Sequence, residues 1–136
     1  TEYKPDDVQD LVVAYQERAT TFRDLYDSVA AVLRAPHYDF APLLQELAVD
    51  PTTLTARLEA IAAGLENLHD WSDDSIKQMI TDLTKALSCK MPDLGKPLRI
   101  ALLGTSNSPS IFTIVRVLGR HTSLQRITHF CKLLSQ

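Results

Sequence analysis

The chain has 136 residues, 45% of them hydrophobic and 23% charged, with a net charge of -3. That is an ordinary composition for a globular chain, long enough to bury a core without staples. It holds no apolar run of about 18 residues, so no membrane span is expected. The segment Thr1 to Asp10 is acidic and polar, unlike a signal peptide. Two cysteines, Cys89 and Cys131, are too few for a disulfide framework and read as reduced thiols of a cytoplasmic protein.

The charge is unevenly placed. Residues 1–84 hold 6 Lys+Arg and 16 Asp+Glu, whereas residues 85–136 hold 8 Lys+Arg and one acid, Asp93. Asymmetry of this kind points to nucleic acid or an acidic surface. Its plain alternative is that the two halves pair with each other.

In chain order, Pro5 with Asp6 and Asp7 marks a helix start. Leu11, Val12, Tyr15, Ala19, Phe22, Leu25, Tyr26, Val29 and Leu33 recur mostly at spacings of three and four, which predicts one amphipathic helix of about 25 residues. Pro36 ends it, because the residue before a proline avoids the helical region. Phe40 to Ala48 reads as a short helix with Leu43, Leu44 and Leu47 inward.

Asp50-Pro51 is an N-cap plus first-turn proline, opening a helix with Leu54, Leu58, Ile61, Ala62 and Leu65 on one stripe. Gly64 interrupts it at about 1 kcal/mol relative to alanine. Ser72-Asp73-Asp74 opens another, with Ile76, Met79, Ile80, Leu83 and Leu87 inward. Trp71 reads as an anchor between two helices.

Ser88 to Lys96 is the least periodic stretch and reads as a boundary between subdomains. Pro97 to Gly104 is ambiguous between a buried strand and a short helix; Pro97 in first position and Gly104 at the end favour the helix. Thr105 to Asn107 is a polar loop, and Ser108-Pro109 a second N-cap plus proline start. The helix it opens buries Ile111, Phe112, Val115 and Leu118, and Gly119 closes it. Thr122 caps a last helix carrying Leu124, Ile127, Phe130, Leu133 and Leu134. The fold class expected is all-α, as two small helical subdomains, 1–88 and 89–136.

No chemistry of catalysis is spelled out. The four glycines form no phosphate loop. Cys89 and Cys131 stand apart from His37, His69 and His121, and the pair His129 and Cys131 falls short of the four ligands of a structural zinc site. Ser106 and Ser108 have no recognisable base or orienting acid. Catalytic residues and metal ligands are therefore expected to be absent.

Three stretches carry a family pattern: YQERATTFRDL (15–25), LHDWSDDSIKQMI (68–80) and GKPLRIALLGTSNSPSIFTIVRVLGRHTSLQRI (95–127). Together they resemble the C-terminal region of bacterial glutamyl-tRNA synthetase. The third is the most specific, through its proline-leucine-arginine, small-residue turn, serine-proline and late glycine.

The resemblance implies two helical subdomains that grip the anticodon arm of tRNA(Glu). It also implies a catalytic domain upstream of this chain, where ATP and magnesium would act. Position by position, Arg99 matches an arginine that contacts anticodon bases, and Ser108, Pro109 and Ile111 match residues lining the same base pocket. The family often has threonine and leucine where this chain has Ser108 and Ile111. Arg18 aligns with an arginine that reads the third anticodon base, which implies rejection of glutamine tRNA; a slip of two residues would put Gln16 there instead, an uncharged amide with no cationic preference.

The physics is compatible. Arginine offers a planar fork for stacking and for base edges. A helix start at Ser108 would aim N–H groups at acceptors, and Pro109 and Ile111 would supply apolar surface to a base face. Arg116, Arg120, Arg126 and Lys132 are candidate phosphate contacts, against the alternative of a solvated basic face. A free-standing helical protein-interaction module is the competing reading. It needs neither the serine-proline helix start nor the basic second half.

Overall fold

The computed structural model describes residues 3–47 and 49–135, so the expected end of the third helix, Ala48, lies outside the described residues. These form seven helices: α1 Pro5–Gln16, α2 Phe22–Leu33, α3 Phe40–Leu47, α4 Pro51–Glu66, α5 Asp73–Ala86, α6 Met91–Leu103 and α7 Ile111–Leu134. No strand occurs among the described residues, as expected.

Where capping chemistry is written plainly, the helix starts fall where the sequence puts them. Asp50 accepts the Thr53 N–H at 3.1 Å, and Ser72 accepts the Ser75 N–H at 3.2 Å. Each satisfies one of the orphan donors of a first turn.

Several expectations fail, among them that Leu87 faces inward, since it is exposed. Three more concern where helices begin and end. The long first helix is two helices: α1 ends at Gln16, and Thr21 restarts the chain by accepting the Asp24 N–H at 3.0 Å. A threonine hydroxyl offering itself to the backbone competes with helix continuation. The break rotates the apolar stripe, leaving Phe22 86% exposed and Tyr26 65% exposed.

The second concerns Ser88 to Lys96, which enters a helix at Met91. There the Lys90 N–H donates to the Asp93 carboxylate at 2.9 Å, and Pro92 sits in the first turn. Pro97 is therefore inside α6 rather than at its start. Burial of Leu94, Gly95, Pro97 and Leu98 holds the helix together despite the missing N–H.

The third is Ser108, which is no N-cap. The cap position of α7 belongs to Ser110, without a side-chain cap bond.

Two glycines act as foreseen, each at positive φ. Gly104 closes α6 at φ 78°, where a Cβ would collide with the carbonyl oxygen of His37. Gly119, at φ 85° and ψ 164°, breaks α7 into 111–118 and 120–134. Carbonyls freed by that break find partners: Ser123 Oγ donates to Val115 O at 3.4 Å, and Trp71 Nε1 donates to Arg116 O at 3.1 Å. Trp71 thus anchors through hydrogen bonding while only half-buried. The Thr122 side chain makes no capping bond among the described residues.

The core is one apolar cluster. Leu54, Leu58, Ile61 and Leu65 of α4 meet Ile114, Val115 and Leu118 of α7, all buried, with Leu94, Leu98, Ile100 and Leu102 of α6 beside them. The cluster runs through residues on both sides of Ser88. No helix of the described residues is long and apolar enough to cross a membrane.

Candidate nucleic-acid interface

One end of the molecule gathers the turn after α1, the second half of α6 and the 104–110 loop. Arg99 stands on α6 between buried Leu98 and Ile100, so packing fixes its backbone. Its side chain passes over Gly95, where an added Cβ would lie 3.1 Å from Arg99 Nη1. Arg99 Nε donates to Ser108 Oγ at 3.0 Å, and that hydroxyl donates to Pro109 O at 3.0 Å. Ser108 therefore serves as the post that pins Arg99 and the loop together.

Arg18, from the turn after α1, is the electrostatic neighbour of Arg99. Burial, then the repulsion of Arg18, lowers the Arg99 pKa. Tyr15 is buried beside both; burial raises its phenol pKa, and the charges of Arg18 and Arg99 oppose that rise. Neither arginine makes an ion pair among the described residues. Two like charges side by side without a carboxylate favour an anionic or acceptor-rich ligand, since such a ligand relieves both.

Pro109 is half-buried at the rim of this site. Ile111 is only 2% exposed, so it supports the loop from beneath and presents no face to a base. That corrects the expected pocket: the first residue of α7 is consumed by the core.

The candidate phosphate contacts separate. Arg116 donates Nη1 to Asp7 at 2.9 Å, Nη2 to Asp10 at 2.7 Å and Nε to Asp73, binding α7 to α1 and α5. Thr113 donates to the same Asp73 at 2.6 Å. Arg120 donates to Leu65 O and Leu68 O at the end of α4, with its guanidinium 5.1 Å from the Trp71 ring centroid. Arg116 is an internal brace, with all three of its nitrogens on carboxylates; Arg120 braces the end of α4 but is exposed, and its Nη1 makes no hydrogen bond among the described residues. Arg126 is 8% exposed and gives Nη1 to Val32 O at 3.0 Å and Leu102 O at 2.8 Å, so it is set back from the outer surface, at the base of a cleft. Lys132 is exposed. The pairing of the two halves is real, and it is concentrated on Arg116.

Sequence reasoning missed Tyr15 as a site residue, since it read as one more apolar position on a helix stripe. It also read Asp7 and Asp73 only as helix-start charges. No local signal reveals that a residue 109 positions away, Arg116, completes Asp7. Among the described residues no group of three or more His, Cys, Asp or Glu is placed to hold a metal ion.

The comparisons agree with this architecture. Glutamate–tRNA ligase 1 of Methylobacterium sp. (strain 4-46) is 35% identical over 119 residues, covering 82% of this chain and 23% of that protein. The glutamate–tRNA ligase of Syntrophotalea carbinolica is 29% identical over 131 residues, covering 96% of this chain and 28% of that one. The chain thus spans about a quarter of the length of these relatives. A crystal structure of a glutamate tRNA ligase from Elizabethkingia meningosepticum superposes over 98% of this chain and 26% of its own, with a TM-score of 0.87. At 21% identity that likeness speaks to the fold alone. A model of the family described as Anticodon binding domain matches residues 1–131, and the chain belongs to that family.

Proposed function

We propose that this chain is the anticodon-binding part of a glutamate–tRNA ligase and holds the anticodon arm of tRNA(Glu). The observation that carries the proposal is the pair Arg99 and Arg18, without carboxylate partners among the described residues and backed by Tyr15 and Ser108. Arg99 presents its remaining N–H groups to a base edge or stacks on a base face, while Ser108 holds its Nε side. Pro109 supplies apolar surface at the rim. Arg18 reads the third anticodon base and favours glutamate over glutamine tRNA.

In this reading 1–88 brings Arg18 and 89–136 brings Arg99, Ser108 and Pro109, so the RNA lies across the two subdomains. Aminoacylation, with its ATP and magnesium, belongs to the catalytic domain of the parent enzyme, in the cytoplasm.

The test is a titration with the anticodon stem-loops of glutamate and glutamine tRNA. Arg99→Gln should weaken the glutamate loop by about 1–3 kcal/mol, roughly 5- to 150-fold. Arg18→Gln should erase the preference between loops while retaining part of the affinity. If Arg99→Gln leaves binding intact, the site is wrong; if wild type binds neither loop, the interaction-module reading takes its place.

A further inference from the structure

Arg126 closes the base of a cleft of about 480 Å³ that lies between the end of α2, the 35–38 segment and the second half of α7. Thr122, Gln125 and His129 of α7 line one side, and Tyr3 and Tyr38 line the other. Among the described residues no carboxylate lines it.

Arg126 is more than nine-tenths buried, yet only its Nη1 is engaged, on Val32 O and Leu102 O. These carbonyls sit in the last turns of α2 and α6, so they cap two helix ends and fix the guanidinium plane. Nε and Nη2 have no protein partner and no ion pair among the described residues. Among the described residues no fully buried side-chain donor is left without a partner, so these two nitrogens open onto the cleft, where an acceptor can reach them.

The rest of the wall suits that acceptor. Thr122, Gln125 and His129 each offer a donor, while Tyr38 spends its hydroxyl hydrogen on Ala101 O and keeps its ring for the cleft. The Tyr38 ring is held in place by Phe130, with centroids 4.9 Å apart. The size lies within the range of small-ligand sites.

We infer that this cleft is a phosphate site, in which Arg126, its guanidinium oriented by two helix ends, binds an oxyanion through Nε and Nη2. The phosphate comes either from a free nucleotide or from the backbone of a bound RNA. The cleft is separate from Arg99 and Ser108, and the inference holds whether or not those residues read an anticodon.

The test is thermal denaturation of the 136-residue chain with inorganic phosphate, with AMP and with an anticodon stem-loop. Replacing Arg126 would uncap two helices, so the diagnostic variant is Gln125→Glu. This exposed position places a carboxylate at the cleft to occupy the free donors. Wild type should gain in Tm with phosphate in a saturable way. The variant should fold with at least the wild-type Tm and bind phosphate at least about tenfold more weakly.

Phosphate that competes with the stem-loop, together with a stem-loop weakened by Gln125→Glu, identifies RNA backbone as the source. An AMP response without such competition identifies a free nucleotide. Saturable binding that Gln125→Glu leaves unchanged, or no response to any of the three probes, overturns the inference.

Discussion

Arg116→Met removes the hub that joins three helices while keeping most of the side-chain length. Asp10 and Asp73 are 50% and 41% exposed, so solvent screening limits each of those pairs to about 0.2–1 kcal/mol. Asp7 is 26% exposed, and its charge-assisted bond contributes about 1.5 kcal/mol, the lower end for such bonds. The variant also leaves three carboxylates facing one another without a cation. A loss of about 2–3 kcal/mol follows from these terms. With an unfolding entropy of about 2.1 cal/mol/K per residue, that corresponds to a Tm lowered by about 7–10 °C.

Calorimetry reads the shift directly. Added salt should recover part of it in the variant, by screening the carboxylates. A Tm within about 2 °C of wild type, combined with a tenfold loss of stem-loop affinity, would refute the brace and return Arg116 to the phosphate role its basic surroundings suggest.

Gly104→Ala should cost more than Gly119→Ala. Both glycines have positive φ, which costs a side chain roughly 1–2 kcal/mol, but only at Gly104 does the Cβ strike backbone, the carbonyl of His37. Equal urea midpoints for the two variants would contradict that difference. Acidification should destabilise the helix starts. Hydrogen bonds from Thr53 lower the Asp50 pKa, those from Thr20 and Thr21 lower that of Asp24, and those from Ser75 and Ser72 lower that of Asp70. A carboxyl whose folded pKa lies below its unfolded value stabilises fully above about pH 4 and loses that contribution as pH falls through the folded value. Asp50→Asn keeps an acceptor that does not titrate, so its Tm should fall less steeply below pH 4; an unchanged slope would show that this cap is not a source of the acid sensitivity.

The sequence by itself determined the helix inventory wherever a local group competes for a local partner. Asp50 and Ser72 cap within three residues, Gly104 and Gly119 adopt φ values that side chains resist, and apolar residues recur at helical spacing. The same locality explains the first failure. Thr21 with Asp24 three residues later is a capping pattern, masked by an apolar stripe that runs on through Phe22 and Tyr26. Arg99 and Ser108 were legible as a pair only through the family pattern, and their contact adds the reason: one hydroxyl joins an arginine to a loop nine residues on.

What only the tertiary structure decided is the fate of each cation. Arg116, Arg120 and Arg126 read alike in sequence, as basic residues on a basic helix. Packing gives the first to three carboxylates, the second to the end of α4 and an indole ring, and the third to two helix ends with part of its fork left over. A helix period specifies which way a side chain faces, but not which distant chain segment arrives to meet it. For a charge, that arrival decides between bracing the fold and binding a ligand.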